Sequence, residues 1–265
     1  MDSTKQQLSL GEKIGIGVGI LVILAILAFF GNQFLQKGNL EQALEDSKVG
    51  DFYYRQQDYE NAEKLYLQSL ATLQTLNYGD GVAEQYGKLG LLYVSQQLYP
   101  KATDMYTKSI EAFMASSNIS GVANQYGNLA IINALTQNFE QAEHLFQESI
   151  KLYKTANDTH GLAEQYNNLS KLYITHRKKM DEVLKLLESS EQLSQAPEHV
   201  ADRAAQYANL GKLYQTAGAL EQAEQWFNKS LQGFQTIGHK NAEIVQKFLT
   251  ELKALQEKAS VNSAP

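Results

Sequence analysis

Hydrophobic and polar positions divide this chain into two unlike parts. Residues 14 to 30 read IGIGVGILVILAILAFF, with no charged and no hydrogen-bonding side chain. From residue 41 onward, apolar positions recur three and four residues apart among Glu, Gln, Lys and Asn. That second pattern marks helices with one buried face.

The first part predicts a membrane span. The 23 positions between Lys13 and Lys37 are uncharged, and as a helix they reach roughly 34 Å, enough for a hydrocarbon core of about 30 Å. Residues 14 to 30 contain 12 Ile, Leu, Val or Phe among 17 positions, together worth roughly −4 to −7 kcal/mol on insertion, more than three Gly would cost. A cleaved signal peptide competes, but the apolar run is long for one and no A-x-A pattern follows. The expected arrangement is a tail over 1–13 and a single transmembrane helix over 14–36. Lys5, Lys13 and the α-amino group favour a cytoplasmic N-terminus, with the rest of the chain periplasmic or external. Gly11, Gly15 and Gly19 form overlapping G-x-x-x-G spacings that suit a homodimer of such helices; lipid-facing glycines are the competing reading.

The second part repeats itself. GVAEQYGKLGLLY begins at Gly81, GVANQYGNLAIIN at Gly121, GLAEQYNNLSKLY at Gly161 and DRAAQYANLGKLY at Asp202, offsets of 40, 40 and 41. Each is followed by a second block: YPKATDMYTKSI at Tyr99, FEQAEHLFQESI at Phe139 and LEQAEQWFNKSL at Leu220, with YENAEKLYLQSL at Tyr59 ahead of them. The block MDEVLKLLESSE at Met180 is divergent. Tyr86, Leu89, Gly90 and Tyr93 fall at i, i+3, i+4 and i+7, and Ala102, Tyr106 and Ser109 continue that spacing, so the unit is two antiparallel helices. SSNISG and TANDTHG read as loops between units. Pro100 suits the first turn of a helix, and Pro197 reads as loop.

These residues resemble the tetratricopeptide repeat. The set Tyr86, Leu89, Gly90, Tyr93, Ala102, Tyr106, Ser109 returns as Tyr207, Leu210, Gly211, Tyr214, Ala223, Phe227, Ser230. A period of 40 rather than 34 is similar to the long repeats of kinesin light chains and spindle-orientation adaptors, and the usual closing proline is missing. The resemblance implies an all-α fold: a right-handed superhelical solenoid of five helix pairs over about 41–80, 81–120, 121–160, 161–201 and 202–240, a capping helix over 241–259 and a frayed tail over 260–265. Small residues at Gly90, Ala130, Ser170 and Gly211 would let paired helices lie close, and each unit needs its neighbours to cover its apolar face.

In that family the first helix of each unit lines a concave groove. Carried over position by position, the groove residues are Lys48, Lys88, Asn128, Asn168 and Asn209, with Asn167, Lys171 and Lys212 beside them. An Asn offers donor and acceptor together, which suits the backbone of an extended peptide; capping or bridging of adjacent helices is the structural alternative. The lysines would make the groove basic and favour an acidic segment or a carboxyl terminus; a solvated lysine face competes. The repeated Gln85, Gln125, Gln165 and Gln206 read as inter-helix hydrogen-bonding groups.

Composition narrows the function. Lys plus Arg is 23 against 29 Asp plus Glu, a net charge of −6, which argues against nucleic acid. Without cysteine there is no disulfide scaffold, cysteine nucleophile or thiolate zinc site. His160, His199 and His239 fall in expected loops at a spacing near 40 and would align along one edge on stacking, but solvated loop histidines explain them too. His144 and Glu148 share a face at i, i+4 and make at most a partial site. No catalytic residue, metal or cofactor is expected. The chain reads as a membrane-tethered interaction scaffold or assembly factor that captures a partner peptide in the groove. A peptide-sensing regulator whose superhelix changes curvature is the alternative.

Overall fold

The computed structural model describes residues 10–176 and 180–262. Among these there are eleven helices and no strand: α1 Leu10–Arg55, α2 Tyr59–Thr75, α3 Gly79–Ser95, α4 Tyr99–Ala115, α5 Ile119–Leu135, α6 Phe139–Ala156, α7 Thr159–Thr175, α8 Met180–Leu193, α9 Pro197–Thr216, α10 Leu220–Thr236 and α11 Asn241–Asn262.

Half of the sequence period is one helix and one tight turn. Gln57, Asn77, Gln97, Ser117, Gln137 and Asn157 each take a left-handed backbone, at steps of 20 residues, and Gly218 and Gly238 do the same later in the chain. After each of them, the next backbone N–H donates to a carbonyl five residues back, as Asp58 does to Tyr53, Asn138 to Asn133 and Ala219 to Tyr214. This is the Schellman closure, which satisfies the last carbonyls of a helix. The residue that closes one helix then opens the next. Asp58, Asn118 and Asp158 accept from the N–H groups of Asn61, Gly121 and Gly161, the side-chain bond that favours Asp and Asn as N-caps. Half of the expected loop SSNISG and most of TANDTHG are therefore helix: chain reversal takes three residues in the first and two in the second, and the caps pull Gly121 and Gly161 into first turns.

The divergent unit ends differently. Among the described residues no left-handed residue follows α8, and the Arg203 guanidinium donates to the carbonyls of Ser190 and Ser194 at 3.2 and 2.9 Å. A cation at the C-terminal end of a helix does there what the left-handed residue does elsewhere. Pro197, expected in a loop, is the first residue of α9, where its missing N–H costs nothing.

The chain divides into two compact units, one through Leu92 and one from Tyr93. In the first, the C-terminal part of α1 packs on α2, burying Ala43, Ala62, Tyr66 and Leu73. Gln85 on α3 joins them by donating to the Ser47 hydroxyl at 3.0 Å. In the second unit α5 packs on α6, α7 on α8, α9 on α10 and α10 on α11, while α7 touches both α6 and α9. One core runs from Ala123 through Phe146, Tyr173 and Leu187 to Leu210, and another joins Ala204, Phe227 and Phe234 to Val245, Leu249 and Leu252 of α11. The repeated serines are buttons between paired helices. Ser69, Ser149, Ser190 and Ser230 each donate a buried hydroxyl to the carbonyl of Ala43, Ala123, Ala163 and Ala204, 26 or 27 residues earlier.

The N-terminal expectation needs correction. Among the described residues no helix is long and apolar enough to cross a membrane, which overturns the expected single-pass localisation and its orientation. The stretch expected to span, 14–36, and the glycines Gly11, Gly15 and Gly19 belong to the part of α1 where the side chains are largely outside the described residues. What is described is one unbroken helix to Arg55 with no linker before the first repeat. From Lys37 it carries Glu41, Glu45, Lys48 and Asp51, with Lys37–Glu41 and Lys48–Glu45 paired at 3.9 and 3.8 Å. These charges follow the uncharged stretch 14–36 on the same helix. At the other end α11 continues to Asn262, past the expected start of the tail, and residues 263–265 lie outside the described residues.

Candidate functional site

Within the second unit α7 lies between α5 and α9. Small residues set the first spacing: a Cβ on Gly127 of α5 would stand 2.6 Å from Gln165 Oε1 on α7. Above this contact a cavity of about 240 Å³ opens between the helices. Ile131, Ala134 and Leu172 give it an apolar floor, and Asn168, Lys171 and His176 stand among its walls. The His176 ring lies against Phe139, with centroids 3.4 Å apart. An apolar hollow with a few converging polar groups is the usual form of a binding site, here sized for one side chain.

The groove residues expected from sequence separate into several environments. Asn168 and Lys171 meet at the cavity. Asn128 donates its amide to Asn124 and Gln125 on its own helix, at 3.2 and 3.1 Å, and the exposed Asn209 lies 3.5 Å from the Gln206 oxygen. Asn167, expected beside the groove residues, is buried, with 2 % of its surface exposed. Three of the four expected lysines have partners close by. Lys48 pairs with Glu45. Lys88 bonds to Asp51 and the Ser47 hydroxyl at 2.7 and 2.8 Å, and the Lys212 ammonium sits 4.3 Å above the Phe248 ring. Each has a local partner that the repeat register does not reveal.

Carboxyl groups gather beyond Lys171. Burial, and then the charge of Asp202, pushes the Glu164 carboxyl up, while a bond from Asn168 pulls the other way. Asp202 is also pushed up, chiefly by burial, against the attraction of His199 and Lys171. Lys171 is thus the cation at the cavity, with acids behind it.

The histidines fall out differently from the expected row. His160 and His199 stand in the first turns of α7 and α9, with ring centroids 4.3 Å apart. His239 stays away, accepting from the Asn241 N–H at 3.2 Å and stacking on Phe234. Glu198, which sequence reasoning passed over, stands 3.1 Å from His160 Nε2; its adjacency to His199 was the signal. His144 is exposed on α6, and Glu148 on the same helix pairs with Lys151 at 3.8 Å.

Three tetratricopeptide-repeat family models match this chain, over residues 42–115, 122–160 and 207–232. The chain contains tetratricopeptide repeats. Solved structures with similar repeat folds agree. BtubC (BKLC) from P. vanneervenii has a TM-score of 0.65 at 22 % identity, covering 88 % of this chain and 93 % of that one. The kinesin light chain TPR-like repeats from Podosopora anserina give 0.56 at 12 %, covering 74 % and 97 %. The Rap conjugation regulator of plasmid pLS20, solved with the Phr* peptide, gives 0.61 at 14 %; it covers 78 % of this chain, which spans 57 % of that regulator. At these identities the likeness concerns the fold. No curated protein matches the sequence significantly.

Proposed function

We propose that this protein is a tetratricopeptide-repeat interaction scaffold that holds an extended peptide segment across α5 and α7. The cavity between these helices carries the reading: it is lined chiefly by α5 and α7, with Phe146 of α6, and it offers an apolar hollow beside an amide and a cation. An apolar side chain of the partner fills the hollow over Ile131 and Leu172. Asn168 bonds to the peptide backbone, and Lys171 attracts a carboxylate, either an acidic side chain or a chain terminus. Within the second unit Lys212 is engaged on the Phe248 ring, so acid recognition concentrates at Lys171. The Rap regulator, with its peptide, lends the fold a precedent for such capture.

The test starts from a displayed random-peptide library selected on the full chain, followed by fluorescence anisotropy with one selected peptide. Ile131→Arg places a charged chain in the hollow and should weaken binding at least about tenfold, a loss of about 1.4 kcal/mol. Lys171→Glu should weaken peptides with an acid next to the apolar anchor and spare those without one. Affinity unmoved by Ile131→Arg, in a variant with intact helicity, contradicts the proposal.

A further inference from the structure

The pair of first turns at α7 and α9 carries a second assembly, away from the cavity. His160 Nε2 is 3.1 Å from Glu198 Oε1, and ligand atoms of His160, Glu198 and His199 all lie within 4.8 Å of one another. His199 is the unusual member. Its ring is 1 % exposed, yet neither ring nitrogen has a hydrogen-bond partner among the described residues. A buried imidazole without a partner is costly, and a ring nitrogen within 4.8 Å of two other ligating groups has an evident use.

We infer that His160, Glu198 and His199 form a binding site for one divalent transition-metal ion of the zinc class, joining the first turn of α7 to the first turn of α9. Two imidazoles and one carboxylate are a ligand set that suits zinc, with a fourth position left to water. Metal–ligand bonds of about 2.0–2.1 Å set tetrahedral neighbours roughly 3.3 Å apart. The His160–Glu198 pair is already near that separation, and the other distances close by side-chain rotation. Entry is open, since His160 and Glu198 expose 61 % and 60 % of their side chains. Opposing charges also face the site: Arg203 one turn on, and the positive end of α9. Arg203 is occupied by the carbonyls of Ser190 and Ser194, and the Glu164 and Asp202 carboxyls stand one turn further along α7 and α9. With the ion bound, the site clamps two helices whose connection runs through the divergent unit.

Tag-free full chain, stripped with chelator, is titrated with Zn²⁺ by calorimetry and with Co²⁺ by visible absorption. One ion per chain is expected, with Co²⁺ bands of a nitrogen- and oxygen-ligated site. His160→Ala and Glu198→Gln should each weaken binding at least about tenfold, while His144→Ala leaves it unchanged. Both test positions are exposed, and helicity identifies any variant that fails to fold, leaving the other to decide. Absence of saturable one-to-one binding, or affinity unchanged in the folded variants, overturns the assignment.

Discussion

Single residues show what the small and hydroxyl positions of the repeat pack against. Gly211 was legible from sequence as a close-approach site, and the structure gives the reason. A Cβ there would stand 2.5 Å from the Phe227 ring, which is wholly buried. Gly211→Ala should cost about 1–3 kcal/mol through overpacking, read as a lower denaturant midpoint. The serines were visible as a repeated letter without a partner, because a bond to a main-chain carbonyl 26 residues away leaves no trace in composition. Tyr153 makes the burial measurable. Its phenol is 3 % exposed, and burial pushes its pKa from the ordinary 10.0 up to about 12, with a bond involving Asn124 opposing the rise. The neutral phenol is the folded form, so its contribution is complete below about pH 10. From there to about pH 12 the unfolded chain gives up the proton while the folded one keeps it, and stability falls by up to about 2–3 kcal/mol. Denaturation at about pH 9 and about pH 11.5 should show this loss in the wild type and a smaller one in Tyr153→Phe. Equal losses in both would place the titration elsewhere.

At the scale of elements, the period of 40 is two helices and two three-residue turns, and the turn decides the register. Sequence reading found the helices through their apolar spacing but drew the inter-unit loops too long, because Ser, Asn and Gly occur in both loops and first turns. The turn residue itself hides well. Gln57, Gln97 and Gln137 hold left-handed backbones, while Gln is common everywhere in this chain. Glycine carries no side-chain penalty in that conformation, and it already occupies the equivalent Gly218 and Gly238. Gln137→Gly should therefore stabilise the protein by about 0.5–1 kcal/mol, the relief of strain exceeding the entropy cost of Gly. A thermal midpoint that stays level or falls would show the turn to be unstrained. The α8 end was unreadable for a different reason: its cap is Arg203, a side chain from the next helix.

For the whole chain, repeat architecture was the most legible property and the ligand surface the least. A fold written as a period survives in any one sequence, because each unit repeats the evidence of the last. A binding surface depends on where long side chains finally rest. Lys48 and Lys88 share the register of Asn168, and Lys212 that of Lys171, yet they end on Glu45, Asp51 and Phe248. The apolar stretch over 14–30 misled in another way, since sequence reading treated it as a separate element, whereas the described backbone runs continuously from Leu10 to Arg55. A peptide lying across α5 and α7 within the second unit would shield both helices from solvent. Amide hydrogen exchange of the full chain, with and without a selected peptide, tests this placement most directly. Slowed exchange is expected first in residues 128–135 and 168–176, with α10 unchanged. Protection confined to α6 and α10, with α5 and α7 exchanging as in the free protein, would contradict it.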